Sequence, residues 1–250
     1  MHDATKIQPF DMKNIPLILD VLVPLWSPPV GDAEFKRFNV EYIVRNNIFE
    51  NEYNYQLVDG NGTLLAALFF ARKGDKTRAA EWFAKSSARF SDKLKHASGM
   101  SRTYIELMDS RTFGCMNDDD IKLSLFVSIK RGCGATLLDA VCGQLREQGW
   151  KNLYLWTDCD CNWHWYETHG YSLVRQDVYE PFSDEHEYLT YVFKKQIIEQ
   201  PDIKINYRLA EKSDLDEICS LIKSAINERV DQSGRTGDAS YLEHRPGLCQ

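Results

Sequence analysis

The chain has 250 residues, of which 43% are hydrophobic, enough for one globular domain or for one domain and a smaller piece. The formal net charge of -7 and the lack of a long basic run argue against a general nucleic-acid binder, but not against a cationic pocket for a small anion. The polar first residues do not resemble a signal peptide, and the apolar segment 15–26 is short and contains Asp20. We therefore expect a cytoplasmic protein without a membrane partner.

The first elements in chain order are a strand, two helices and a hairpin. Residues 6–10 predict a short strand, and Asn14 is placed to cap a helix whose apolar residues follow helical spacing. A second helix is predicted around residues 34–46. Two runs rich in aromatic and aliphatic residues then flank the sequence Asp-Gly-Asn-Gly at 59–62, which is a strong hairpin signal.

A polar, helical block at residues 74–118 separates the hairpin from the next strand. Inserted blocks that join scaffold strands commonly carry specificity. We expect this insert to fold over the acceptor end of an active site, and we expect a short loop to replace it without loss of cofactor binding.

The second half alternates strands and helices. A strand at 121–128 is expected to place Leu123, Leu125 and Val127 on one face and Phe126 on the other. An amphipathic helix follows, then a strand at residues 152–158 and a short helix that Asn162 is placed to cap. Two further strands are expected, at 171–179 and 187–195. The order predicts a mixed α/β fold.

The turn at residues 130–136, Lys-Arg-Gly-Cys-Gly-Ala-Thr, joins a buried strand to a helix. It lacks the Lys-Ser/Thr pair of a Walker loop and the third glycine of a dinucleotide fingerprint. What remains is the pattern R-x-x-G-x-T of Arg131, Gly134 and Thr136. A pyrophosphate could bind here. The helix start offers free N–H groups, the glycines let the backbone approach the phosphates closely, and nearby cations add positive charge. A plain tight turn is the alternative.

The order of elements around this turn resembles the GNAT superfamily of N-acetyltransferases over residues 4–195, most strongly between Leu123 and Tyr171. Its second motif, TD-x-x-CN-x-x-(F/W)YE-x-x-G(F/Y), is associated with one bacterial group of these enzymes. Two features depart from the family pattern. Thr136 replaces the last glycine or alanine of the loop, and the run from Val127 to Arg131 is one residue short. The resemblance implies a central mixed, mostly antiparallel sheet flanked by helices, with the helical insert between strands 3 and 4.

The resemblance also implies the site. Acetyl-CoA, as co-substrate, would lie between the strands at 121–128 and 152–158, and its pantetheine would pair with the backbone of Phe126, Val127 and Ser128. The Val127 region would offer an N–H to the thioester oxygen, Tyr166 would return a proton to the departing thiolate, and Asn162 would hold the cofactor. The pyrophosphate would lie on the N–H groups of Arg131, Gly132, Cys133, Gly134, Ala135 and Thr136.

Other interpretations of these residues stay open. Tyr166 could be a core tyrosine with a satisfied hydroxyl, and Asn162 could only cap its helix. Glu106 and Asp120 are candidates for the general base, as is water. Cysteines 159 and 161 lie near two histidines, but no second CxxC provides the other half of a zinc site, so we expect reduced thiols and no metal.

The sequence thus predicts transfer of an acetyl group from acetyl-CoA to a primary amine of a small molecule by direct attack. The alternative is a non-catalytic CoA-binding module with a degenerate acceptor site. A homodimer is compatible with either. Residues 1–197 are expected to form the acetyltransferase domain. Residues 198–229 resemble the opening strand and helix of a second GNAT domain, without an active site of their own, and residues 230–250 are expected to be a mobile polar tail.

Overall fold

The computed structural model describes residues 5–183, 186–197, 214–215, 218–220 and 222–223. The chain divides into two units, Met1–Glu199 and Gln200–Gln250. In the second unit Leu215, Ile218 and Ile222 are helical and exposed. Apart from 214–215, 218–220 and 222–223, the piece expected at 198–229 lies outside the described residues, as does the whole tail at 230–250.

The first unit alternates strands and helices as predicted. Its strands are β1 Lys6–Pro9, β2 Asn54–Val58, β3 Leu64–Ala71, β4 Asp120–Ser128, β5 Asn152–Asp158, β6 Ser172–Val178 and β7 Leu189–Gln196. Its α-helices are α1 Ile15–Trp26, α2 Ala33–Asn46, α3 Ala79–Ser86, α4 Asp92–Cys115, α5 Cys133–Glu147 and α6 His164–Thr168. Short 3-10 helices occupy Met12–Asn14, Ser87–Arg89 and Glu180–Phe182. No helix in the described part of the chain has the length and apolar character that a bilayer crossing requires.

All seven strands belong to one sheet, in the order β1-β2-β3-β4-β5-β7-β6. Neighbouring strands are antiparallel except for β4 and β5, which are parallel. Helices α3 and α4 form the insert between β3 and β4. The predicted fold class, a mixed and mostly antiparallel sheet flanked by helices, is confirmed.

Helices cover both faces of the sheet. The apolar stripe of α5, which includes Leu137, Val141 and Leu145, packs on one face with side chains of β3, β4, β5 and β7. On the other face Ile18 and Leu19 of α1 pack in a separate cluster with the second set of β3 and β4 side chains. The sheet is therefore buried on both sides at its centre, which fits the run of eight buried residues in β3.

A bulge in β4 changes the predicted pattern of its side chains. Adjacent residues of β3 lie opposite Leu123 and Leu125, so Ser124 is an extra residue without a partner on β3. Leu123 packs in the α5 cluster, whereas Leu125 and Val127 pack in the α1 cluster. The prediction that these three residues share one face is wrong, because an extra residue reverses the alternation of a strand.

The helical insert is part of the core. Met108 of α4 is fully buried, and Asp109 on the same helix forms an ion pair with Lys122 of β4. The Trp156 indole of β5 donates a hydrogen bond to the same carboxylate, at 2.7 Å. Helix α4 is thus the layer that covers β4 and β5 on the face opposite α5. A short loop in its place would expose buried strands to water, so the expectation of a replaceable insert is corrected.

Candidate active site

Strands β4 and β5 separate at the centre of the sheet. Their parallel pairing joins only residues 120–122 to residues 152–154. Further along, β4 stays paired with β3 and β5 with β7, and in the described residues no strand fills the space between them. The gap opens beside the bulge at Ser124, and bulges often end a pairing next to active sites. Residues Phe126, Val127 and Ser128 lie on the β4 side of this gap.

The turn from β4 to α5 presents free backbone N–H groups. Gly132 has φ of +84°, a left-handed conformation that favours glycine. The N–H of Cys133 is bonded to the Lys130 carbonyl at 3.1 Å, but those of Arg131, Gly132 and Ala135 have no partner among the described residues. Unpaired N–H groups at a helix N-terminus form a site that attracts anions.

Three residues of the predicted cofactor loop also hold the loop in shape. The Ser128 hydroxyl accepts a hydrogen bond from the Gly134 N–H at 3.1 Å, and the Thr136 hydroxyl donates to the Gly132 carbonyl at 3.2 Å. A Cβ atom on Gly134 would lie 2.5 Å from the Phe126 ring. Gly134 is therefore required by the packing of α5 on β4, so its replacement would not test phosphate binding alone.

Neither cation of the loop forms an ion pair among the described residues, and both side chains are exposed. Lys130 lies nearer the hairpin turn, where backbone hydrogen bonds from Thr63 and Asn61, and to a lesser degree the charge of Lys130, lower the pKa of the Asp59 carboxyl. Arg131 lies beside the free N–H groups. The guanidinium next to the free N–H groups is thus available to an anion.

Tyr166 lies on α6, on the same face of the sheet as α5. Its ring is half-buried against Tyr171 and Phe193, with ring centroids 5.3 and 5.8 Å away. Burial, and to a lesser degree the nearby Cys161, raises the pKa of the phenol, so it keeps its proton at neutral pH. The hydroxyl has no hydrogen-bond partner among the described residues, in contrast to the alternative of a satisfied core tyrosine.

Asn162 does not cap α6 with its side chain. The helix begins at His164, the N-cap is Trp163, and the exposed Asn162 contributes only its main-chain carbonyl, which accepts the Trp165 N–H at 3.2 Å. The prediction of a side-chain cap is wrong. Asn14, the other predicted cap, has the right position, but its side chain donates to Gln56 at 2.8 Å instead.

The candidate zinc ligands do not converge. Among the described residues no group of three or more His, Cys, Asp or Glu side chains is placed to hold a metal. His164 bonds to Glu167 at 2.9 Å, and His169 stacks on the Trp165 ring with centroids 3.8 Å apart.

Of the two candidate bases, Asp120 lies away from the gap. It is buried at the opposite end of β4, where its two oxygens accept hydrogen bonds from the Asn152 side chain at 2.6 Å and the Asn117 N–H at 2.8 Å. Glu106 is exposed on α4 and pairs with Arg102 at 3.7 Å. The carboxylate of Asp120 thus has a structural role, and Glu106 stays a candidate.

A buried carboxylate that was not predicted from the sequence lies at the end of β5. Asp158 is only 8% exposed and accepts a hydrogen bond from the Tyr104 hydroxyl at 2.9 Å. Cys161 and Tyr188 lie beside it. Burial, and to a lesser degree the charge of this carboxylate, raises the pKa of the Cys161 thiol to about 12. The Thr-Asp pair that opens the second sequence motif was the available signal.

No family model matches the chain, and no curated protein matches its sequence. Among solved structures, it is similar to the ribosomal-protein-S18-alanine N-acetyltransferase from Escherichia coli, with 11% identity, coverage of 82% of this chain and 100% of that one, and a TM-score of 0.42. Ard1 from Thermoplasma volcanium shows 14% identity, coverage of 78% and 99%, and a TM-score of 0.44. A GCN5-related N-acetyltransferase from Kribbella flavida shows 12% identity, coverage of 77% and 98%, and a TM-score of 0.44. Similarity at this level indicates nothing about a substrate.

Proposed function

We propose that the protein is an acetyl-CoA-dependent N-acetyltransferase that acts on a primary amine of a small molecule. One observation carries this proposal: free N–H groups at the start of α5 lie next to the gap between β4 and β5. The N–H groups suit a pyrophosphate, and the strand edge suits an extended chain with amide groups. CoA contains both groups, a pyrophosphate followed by a pantetheine chain with amide groups.

The residues present fit this ligand. The N–H groups of Arg131, Gly132 and Ala135, with the unpaired Arg131 guanidinium, would hold the pyrophosphate. The edge of β4 from Phe126 to Ser128 would pair with the pantetheine amides, and an N–H in the Val127 region would stabilise the negative charge that develops on the thioester oxygen. Acetyl-CoA itself supplies an activated acetyl group.

Transfer would occur by direct attack of the neutral amine on the thioester carbonyl. The C–N bond forms, the C–S bond breaks, and the electron pair leaves on sulfur. Tyr166 would give its proton to this thiolate and regain a proton from solvent, while the surplus proton on nitrogen passes to solvent. A route through an acyl-cysteine is disfavoured at Cys161, because a thiol with its pKa raised to about 12 is almost wholly protonated at neutral pH.

The test is release of the CoA thiol from acetyl-CoA across a panel of primary amines, with the acetylated product identified by mass spectrometry. Tertiary amines of the same size are the matched controls, because they have no N–H proton to lose and should release no thiol. Calorimetry with acetyl-CoA, CoA and ATP measures binding in parallel. If acetyl-CoA binds but no amine in the panel causes release of the CoA thiol, the proposed catalysis is contradicted. If neither acetyl-CoA nor CoA binds, the proposed cofactor site is contradicted.

A further inference from the structure

The carboxylate of Asp158 is a buried charge without a compensating cation. One oxygen accepts the Tyr104 hydroxyl at 2.9 Å. The other, Oδ1, is buried and accepts no well-formed hydrogen bond among the described residues, where the Tyr188 hydroxyl and the Cys161 thiol are the neutral donors that lie beside the carboxylate. No lysine, arginine or histidine in that part of the chain forms an ion pair with it. Asp158 is 92% buried, and burying a carboxylate without a cation costs folding free energy. Buried charges are normally paired, and buried oxygens normally accept a hydrogen bond.

Aromatic side chains surround this carboxylate. The Tyr104 ring lies within 4.8–6.1 Å, centroid to centroid, of the rings of Trp156, Tyr179, Phe182 and Tyr188. Phenols donate hydrogen bonds but carry no positive charge. Aromatic faces attract organic cations and also pack against apolar groups. The surroundings of Asp158 are thus suited to a ligand that combines a positive charge with an apolar body.

Asp158 also lies where an acceptor would have to be. Leu153 and Leu155 of β5 point toward the α5 cluster, whereas Trp156 and Asp158 contact α4 on the other face. Asp158 follows the point at which β4 and β5 separate, after residue 154. A group that passes through the gap from the α5 face therefore reaches the face on which the Asp158 side chain lies.

We propose that Asp158 binds the protonated amino group of the acceptor, and that the half-buried rings of this cluster, Trp156, Phe182 and Tyr188, bind the acceptor's apolar body. This inference rests on the proposed acetyl transfer and specifies its substrate class: a primary amine with an aromatic or apolar body. The unpaired Oδ1 accepts a charge-assisted hydrogen bond from the ammonium, which loses one proton to solvent before the neutral amine attacks the thioester. The acceptor carries no carboxylate beside its amino group, because a second carboxylate would lie against Asp158.

The test compares phenethylamine with phenylalanine, which differ by one carboxylate. Calorimetry on the full-length protein saturated with CoA measures the Kd of each. In the wild type we expect phenylalanine to bind at least about tenfold more weakly than phenethylamine. Asp158→Asn, which keeps an acceptor for the Tyr104 hydroxyl, should weaken phenethylamine binding by about tenfold or more and abolish the difference between the two ligands. Asp160→Asn, the same change on an exposed neighbour, is the matched control and should leave both values unchanged.

Equal affinity of the wild type for the two ligands, or an Asp158→Asn variant that keeps the wild-type preference, would overturn the inference. Absence of phenethylamine binding would overturn it as well. The wild-type comparison decides the matter even when the variant does not fold. Because binding is measured without turnover, a protein that binds phenethylamine through Asp158 but releases no thiol from acetyl-CoA would contradict the proposed transfer and leave the amine site supported.

Discussion

Replacing Lys122 by methionine should destabilise the first unit strongly, because it leaves the Asp109 carboxylate without its cation. The Lys122 side chain is fully buried, and its ammonium lies 5.2 and 5.1 Å from the ring centroids of Phe49 and Phe113. Burial outweighs the attraction of Asp109, so the pKa of Lys122 is lowered. The pair therefore links α4 to β4 in buried surroundings, where the Trp156 indole and the two rings replace water only in part.

The expected loss follows from these surroundings. Removing one partner of a buried ion pair costs about 3–5 kcal/mol, because the remaining charge is uncompensated. That is a large part of the roughly 5–15 kcal/mol by which a domain is stable. A double variant, Lys122→Met with Asp109→Asn, removes both charges and keeps an acceptor for the Trp156 indole. It should lie within about 1–2 kcal/mol of the wild type.

Urea denaturation followed by tryptophan fluorescence measures all three proteins, and an unchanged m-value shows that the same unfolding is compared. The reasoning is refuted by a single variant that loses less than about 1 kcal/mol, or by a double variant that loses as much as the single one.

Three further predictions concern the cofactor site and the domain boundary. Arg131→Ala should weaken acetyl-CoA binding about tenfold in calorimetry, whereas Lys93→Ala, which removes an exposed cation on α4, should not; equal effects would contradict the phosphate assignment. Tyr166→Phe should lower kcat about a hundredfold with acetyl-CoA affinity retained. Because burial raises the pKa of this phenol above its ordinary 10.0, the wild type should show no loss of kcat from phenol ionisation below that pH, and an earlier decline that the Phe variant abolishes would count against the assignment. Truncation after Ile197 should leave acetyl-CoA affinity unchanged, and a folded truncated protein that no longer binds would place part of the site beyond residue 197.

The order of elements could be predicted because its signals are local. The hairpin follows from a turn sequence between apolar runs, and α5 follows from the periodic apolar stripe that includes Leu137, Val141 and Leu145. The turn before α5 was recognised in the same way, from glycines and cations that are adjacent in sequence. Each of these features needs only a few neighbouring residues to be specified.

The features that were missed depend on pairing between distant residues. The bulge at Ser124 exists only in the register of β4 with β3, so alternation along β4 alone misplaced Leu123. Tyr104 and Asp158 lie 54 positions apart, and their hydrogen bond forms only once α4 packs across β5. The same packing makes the insert part of the core, which its polar composition concealed. Helix α4 buries one stripe of side chains and exposes the others. The composition of the whole segment is polar because the exposed residues outnumber the buried ones.

The most direct test of the account is a crystal structure of the full-length protein with CoA. The pyrophosphate should lie within hydrogen-bonding distance of the N–H groups of Arg131, Gly132 and Ala135, and the pantetheine should run along the edge of β4 between that strand and β5. The thiol should end between Tyr166 on one side of the sheet and Asp158 on the other. CoA bound to another surface, with the gap between β4 and β5 empty, would contradict the central claim.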